Sequence, residues 1–288
     1  MGRGAFAGCM LFSLSFSGVA LADGPYNLNE DLAAREQTSA KLVGGSPYQK
    51  RVRERFVVVA PRINEGPAFS ASLSFFEQTL SALLHERFEA LPAEAMTVYL
   101  FPRATEYEAY CKKTTAAKCI SSFGYYSPGD RSLVMNVGPG IGTLSHEVVH
   151  PLMEANFPDV PIWFNEGVAS LYEGIAFTGP NEIRGRKNWR HPRLATALRG
   201  KARSGALPST LFGMSDDTFR GANEDLNYAT ARYLCMWLEQ KGLLWKFYRE
   251  FKARKSKDDP TGALSFAHVV GQTPAEVDDE WSRWVLGL

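Results

Sequence analysis

The chain has 288 residues, 45% apolar and 22% charged, an ordinary balance for a globular protein with a sizeable core. Its 32 basic and 31 acidic residues nearly cancel, which argues against nucleic acid or an anionic membrane surface as the main partner. Arg3 precedes an apolar run from Ala5 to Val19, and Ala20-Leu21-Ala22 then offers small residues at the positions a signal peptidase reads. Residues 1–22 therefore read as a signal peptide cleaved after Ala22, with export to the periplasm or the extracellular space. The run is too short for a stable membrane span, and no later stretch is long and apolar enough for one. Cys9 after Phe6-Ala7-Gly8 is only a faint echo of a lipoprotein cleavage site.

Beyond residue 22 the charges balance at 31 of each sign, and three cysteines remain. In an oxidising compartment Cys111 and Cys119 can close a small loop, whereas Cys235 lies in an apolar helical stretch and reads as a small buried hydrophobe. An odd number of thiols excludes a disulfide scaffold. Residues 23–52 are polar, contain Gly44-Gly45-Ser46-Pro47 and show no sustained periodicity, so they read as a linker or flexible arm.

The rest, 53–288, carries the regular elements. Phe56–Ala60 and Met96–Phe101 are β-branched or aromatic runs that each stop at a proline, the pattern of strands. Phe75, Phe76, Leu80, Leu83, Leu84 and Phe88 recur at helical spacing and predict an amphipathic helix over about 67–90. Thr105 with Glu108 three residues later resembles a capping box. Phe123–Tyr126, the turn Ser127-Pro128-Gly129-Asp130 and Ser132–Val137 predict a hairpin, ended by Gly138-Pro139-Gly140. Eight basic residues and no acidic one lie between Arg184 and Arg203, a solvated face or a patch for acidic substrate. A helix is expected over 228–251 with a break at Gly242, and another over 274–285. Strands and helices thus come first, at about 53–155, and a helical second half follows at 156–288. That order predicts two lobes of one domain with the functional site at their junction.

The densest chemistry lies in GTLSHEVVHPLMEANFPDVPIWFNEGVASLYE, residues 142–173. His146 and His150 are four apart, so a helix presents both on one face and both can reach one metal ion. Glu147 stands about 100° further round, where a general base for water activation is needed. A catalytic zinc takes three protein ligands, and Glu166, on a second apolar helix after Pro158 and Pro161, is the preferred third. Glu173 is its rival. Tyr228 is a candidate oxyanion donor, and the strand 133–137 a candidate aligner of an extended peptide. His85, His191 and His268 lack ligand spacing; among them, His191 in the basic run is a candidate transition-state donor.

HEVVH and WFNEGVASLYE resemble the two zinc segments of the gluzincin metallopeptidases, the group of thermolysin and aminopeptidase N, and most closely those of the bacterial peptidase-MA-like proteins. The resemblance extends loosely over residues 54–286 and is specific only at those two segments. It implies His146, His150 and Glu166 as ligands of Zn²⁺ and Glu147 as catalytic base. It also implies a thermolysin-like α+β fold, with a small mixed sheet whose edge strand lines the cleft and a helical C-terminal lobe. Two positions depart from it. Pro151 removes a helical hydrogen bond right after His150, and Ser170 stands where thermolysin-like relatives place an aspartate behind a histidine ligand. The expected function is an exported zinc metallopeptidase acting on a peptide or protein. The alternatives are a non-catalytic envelope binding or scaffold protein and a cell-wall peptide amidase.

Overall fold

The computed structural model describes residues 25–62, 66–115, 117–255 and 257–288, so the predicted signal peptide and Cys9 lie outside the described residues. The fold is α+β. The chain divides into two compact units: the described residues through Leu84 with Phe88–Ala155, and His85–Arg87 with Asn156–Leu288.

The first unit contains α1 (Leu28–Val43), β1 (Tyr48–Val52), β2 (Phe56–Ala60), α2 (Gly66–Leu84), β3 (Met96–Phe101), α3 (Ala104–Thr115), β4 (Gly124–Ser127), β5 (Ser132–Asn136), α4 (Gly142–Glu147) and α5 (Val149–Asn156). Its five strands form a mixed sheet in the order β1-β2-β3-β5-β4. The central strands β2, β3 and β5 run parallel, and β1 and β4 pair antiparallel at the two ends. Every residue of the three central strands is buried, as expected of parallel strands covered on both faces. Val57, Val59, Tyr99, Phe101, Tyr125 and Val134 pack under α1 and α3. On the other face, Phe76 of α2 meets Phe56 edge-on at 5.4 Å.

Three expectations change here. Residues 25–52 are no linker: α1 and β1 occupy most of them. The Asn27 side chain caps α1 by accepting from the backbone of Asn29 and Glu30. Asp31 pairs with Arg131 at 2.6 Å, and Arg35 donates to the carbonyls of Asp130 and Arg131. The helix is attached by these charged contacts and by apolar residues at its two ends, Leu28 and Leu32, then Leu42 and Val43, which leaves little continuous hydrophobic period to detect. Thr105 is no cap either, because α3 opens one residue earlier and places it inside the first turn. Finally, β5 is not an edge strand. The hairpin folds so that β5 pairs with β3 and its earlier arm, β4, ends the sheet.

The second unit contains α6 (Ile162–Leu171), β6 (Ile175–Gly179), β7 (Glu182–Gly185), α7 (His191–Arg199), α8 (Pro208–Phe212), α9 (Asp216–Phe219), α10 (Glu224–Gln240), α11 (Leu244–Arg254), α12 (Ala263–Val270) and α13 (Pro274–Gly287), plus a 3₁₀ turn at Arg203–Ala206. It is helical apart from the β6–β7 hairpin, which turns at Pro180-Asn181 with Asn181 at φ 59°. Helix α10 is the central member, buried at every position from Leu226 to Glu239. It packs against α6 at Gly167, where a Cβ would stand 2.9 Å from Cys235 Sγ and 3.1 Å from the carbonyl of Ala231. Only a residue without a side chain allows the two backbones this close. Glu239 accepts from Gly185 N–H at 2.8 Å and Tyr172 O–H at 3.2 Å, tying hairpin and α6 to α10. Burial raises the carboxyl pKa of Glu239 despite those bonds. Gly242, at φ 69°, ends α10 before α11, and Thr273 with Glu276 forms a capping box on α13. Among the described residues no helix is long and apolar enough to cross a membrane.

Cys111, within α3, and Cys119, beyond its end, form a disulfide across eight positions. A loop of that length is expected to contribute about 2–3 kcal/mol. Replacing both cysteines with serine should lower the urea-unfolding free energy by that amount, and reductant should leave the double variant unaffected while destabilising the wild type.

Candidate metal centre

The break Gly138-Pro139-Gly140 releases the chain from β5 and lets α4 begin at Gly142. His146 and Glu147 form its last two positions. The helix is then interrupted at Val148 and resumes at Val149, so His150 is the second residue of α5. Pro151 accounts for the break: it cannot donate to the carbonyl of Glu147, while Val148 N–H still reaches Leu144 O at 3.1 Å. The two imidazoles nonetheless converge, with ring centroids 5.0 Å apart and planes at 72°.

Both histidines and Glu147 are buried. The Glu147 carboxylate stands 3.9 Å from His150 Nε2. Tyr126, on the end strand β4, stacks on the His150 ring at 6.3 Å with planes 12° apart. Its hydroxyl donates to Glu154 at 2.7 Å. Burial and that carboxylate push the phenol pKa well up, so Tyr126 stays protonated and keeps donating.

Helix α6 opens after Pro161, and Trp163, Phe164, Val168 and Leu171 fix its buried faces. Glu166 is 3% exposed, and its Oε1 accepts from Arg220 Nη2 at 2.6 Å. Ligand atoms of His146, His150 and Glu166 lie within 4.8 Å of one another, so this buried group can hold a metal ion. The donor set fits one: two imidazoles and one carboxylate are ligand types that divalent transition metals take.

No known protein family matches the chain, and no curated protein matches it. The site's own geometry therefore carries the functional argument.

Glu173, the rival ligand, is committed elsewhere. It lies beyond the end of α6 and accepts two bonds from Arg190, at 2.7 and 3.0 Å, and one from Asn188 at 3.1 Å. Burial disfavours the Arg190 charge, but Glu173 outweighs it and raises the guanidinium pKa. Tyr228 is buried in the first turns of α10. Its hydroxyl accepts from Arg220, and the guanidiniums of Arg190 and Arg220 lie 4.9 and 5.4 Å from its ring centroid. His191 belongs to another place: its Nε2 bonds the carbonyl of Val285 at 2.8 Å, and its ring packs on Tyr233, an anchor for α13. His268 pairs with Glu250 at 2.8 Å. Three of the eight basic residues of the run have carboxylate partners within the fold, Arg190 with Glu173, Arg193 with Asp225 and Arg203 with Asp279. Ser170 is buried and its hydroxyl makes no hydrogen bond among the described residues, so it does not substitute for a histidine-orienting carboxylate.

Sequence reasoning missed Arg220 and Arg190. For Arg220 the available signal was the spacing Arg220, Glu224, Tyr228, each four apart.

Glu173→Gln should keep full metal stoichiometry by elemental analysis yet lose about 3 kcal/mol of stability in denaturant, because Arg190 would lose its buried counter-charge. Gly167→Ala should cost about 1–3 kcal/mol by the same measurement, through overpacking of α6 on α10.

Proposed function

We propose that the chain is a zinc-dependent metallopeptidase of thermolysin-like architecture, exported after cleavage near Ala22. The observation that carries this reading is the buried His146–His150–Glu166 group with a carboxylate, Glu147, at 3.9 Å from one of its histidines. A metal-binding module without chemistry has no need of that carboxylate. The Cys111–Cys119 disulfide favours an oxidising compartment and so supports export.

His146, His150 and Glu166 would hold the ion. Zinc there would supply a Lewis acid that polarises a carbonyl and makes water acidic enough to lose a proton near neutral pH. Glu147 accepts that proton as water attacks the peptide carbonyl, then delivers it to the departing amine. Tyr228 donates to the oxyanion as it forms. The substrate backbone pairs with the open side of β4, the end strand, whose Tyr126 already lies against the His150 ring. This replaces the strand 133–137 in the aligning role.

The deciding experiment combines elemental analysis with hydrolysis of a broad peptide library. Wild type should bind one zinc per chain and lose activity on chelation. Glu147→Gln should keep the zinc and lose at least about 10²-fold in kcat. His146→Ala and Glu166→Ala should lose the metal itself. Stoichiometric zinc with equal behaviour of wild type and Glu147→Gln would instead assign the chain to binding or scaffolding. Activity confined to cell-wall peptides would assign it to the amidases.

A further inference from the structure

Arg220 follows α9 and is held at that helix's end by its own backbone, N–H to Asp216 O at 3.0 Å. Its side chain reaches three groups with two nitrogens. Nη2 donates to Glu166 Oε1 at 2.6 Å, and Nη1 donates both to Glu224 Oε1 at 3.1 Å and to the hydroxyl of Tyr228. A guanidinium keeps its charge in proteins, so all three bonds are donated by a cation. One planar fork therefore links the Glu166 carboxylate to the Tyr228 hydroxyl.

Each bond has a consequence for the site. A charge-assisted bond at Oε1 sets the plane of the Glu166 carboxylate, which would hold a metal ion through one oxygen in a fixed direction. Tyr228 receives a donor on its oxygen, so its own proton is the one it offers to a partner. Glu224, one turn before Tyr228 on α10, steadies the fork from the far side. A lysine cannot reproduce this, because a single ammonium has neither the planarity nor the two separated donors.

Resting on the metallopeptidase reading above, we propose that Arg220 is a positioning residue that couples the third ligand to Tyr228: it presents Glu166 for ligation through one oxygen and holds the Tyr228 hydroxyl as a donor. Two effects oppose each other at the metal. The cation withdraws charge from the carboxylate, which weakens ligation, and its hydrogen bond pre-orients the carboxylate, which strengthens it. Outer partners of metal ligands typically support affinity by about 10- to 100-fold, so orientation should prevail.

The test uses the mature protein, residues 23–288, and its Arg220→Ala, Arg220→Lys and Tyr228→Phe variants. Zinc affinity is measured by competition with a chromophoric chelator, and kcat and KM are measured separately at saturating zinc. Both Arg220 variants should bind zinc about 10- to 100-fold more weakly, the lysine variant included although it keeps the charge. Tyr228→Phe should leave zinc affinity unchanged and lower kcat more than it raises KM. Removing Arg220 in the Tyr228→Phe background should cost less kcat than removing it from wild type. The lysine variant serves if the alanine variant fails to fold. Zinc affinity within twofold of wild type in Arg220→Lys, or fully additive kcat losses, would overturn the coupling while leaving the metallopeptidase reading intact. Absence of stoichiometric zinc in wild type would overturn both.

Discussion

A carboxylate removed from water has to be paired, and Glu166, with 3% of its surface exposed, is the case on which the second unit turns. Its partner is Arg220, which comes from a segment 54 residues further along the chain. That guanidinium reaches it at 2.6 Å from the end of α9, while Gly167, beside the glutamate, lets α6 lie close along α10. The same requirement recurs one layer away, where Glu173 is matched by Arg190. Two ion pairs with Tyr228 packed against both cations make a rigid floor out of side chains that would each be costly alone.

In the first unit the governing feature is covalent. Pro151 denies the helix one hydrogen bond, and the interruption at Val148 follows. A straight helix would also have placed residues 146 and 150 on one face, so the break is compatible with convergence and not required for it. What holds the second ring in its orientation is the sheet. Tyr126 stacks on His150 and is itself fixed through Glu154, so β4 contributes to the geometry of the histidine pair as well as ending the sheet. Supporting groups of this sort are what give metal ligands a defined direction.

Much of this was legible beforehand. The strands 56–60 and 96–101, the hairpin 124–136 and the break at Gly242 were all readable because their signals are local: β-branched runs, proline stops and turn residues. The helix at 28–43 was not, since its attachment runs through Asp31 and Arg35 to residues about a hundred positions away. The β6–β7 hairpin was hidden for a related reason. Only Ile183 among its residues is buried, so it has no inward-facing alternation to display.

By itself the sequence determined which chemistry is on offer. Two histidines four apart with a glutamate between them must meet on any helix, because 3.6 residues make a turn. It also favoured Glu166 over Glu173 as the third member of the group, from its closeness to the linker and the tighter motif around it. Tertiary structure bears on that preference by setting Glu173 beyond the end of α6 against Arg190 and a Glu166 oxygen beside the two histidines. It likewise decided that β4 and not β5 ends the sheet, and that Arg220 belongs to the site at all. The physical reason is common to all three: each depends on contacts between segments distant in sequence, whose pairing is decided by burial and charge balance in the folded chain and leaves no periodic trace along it.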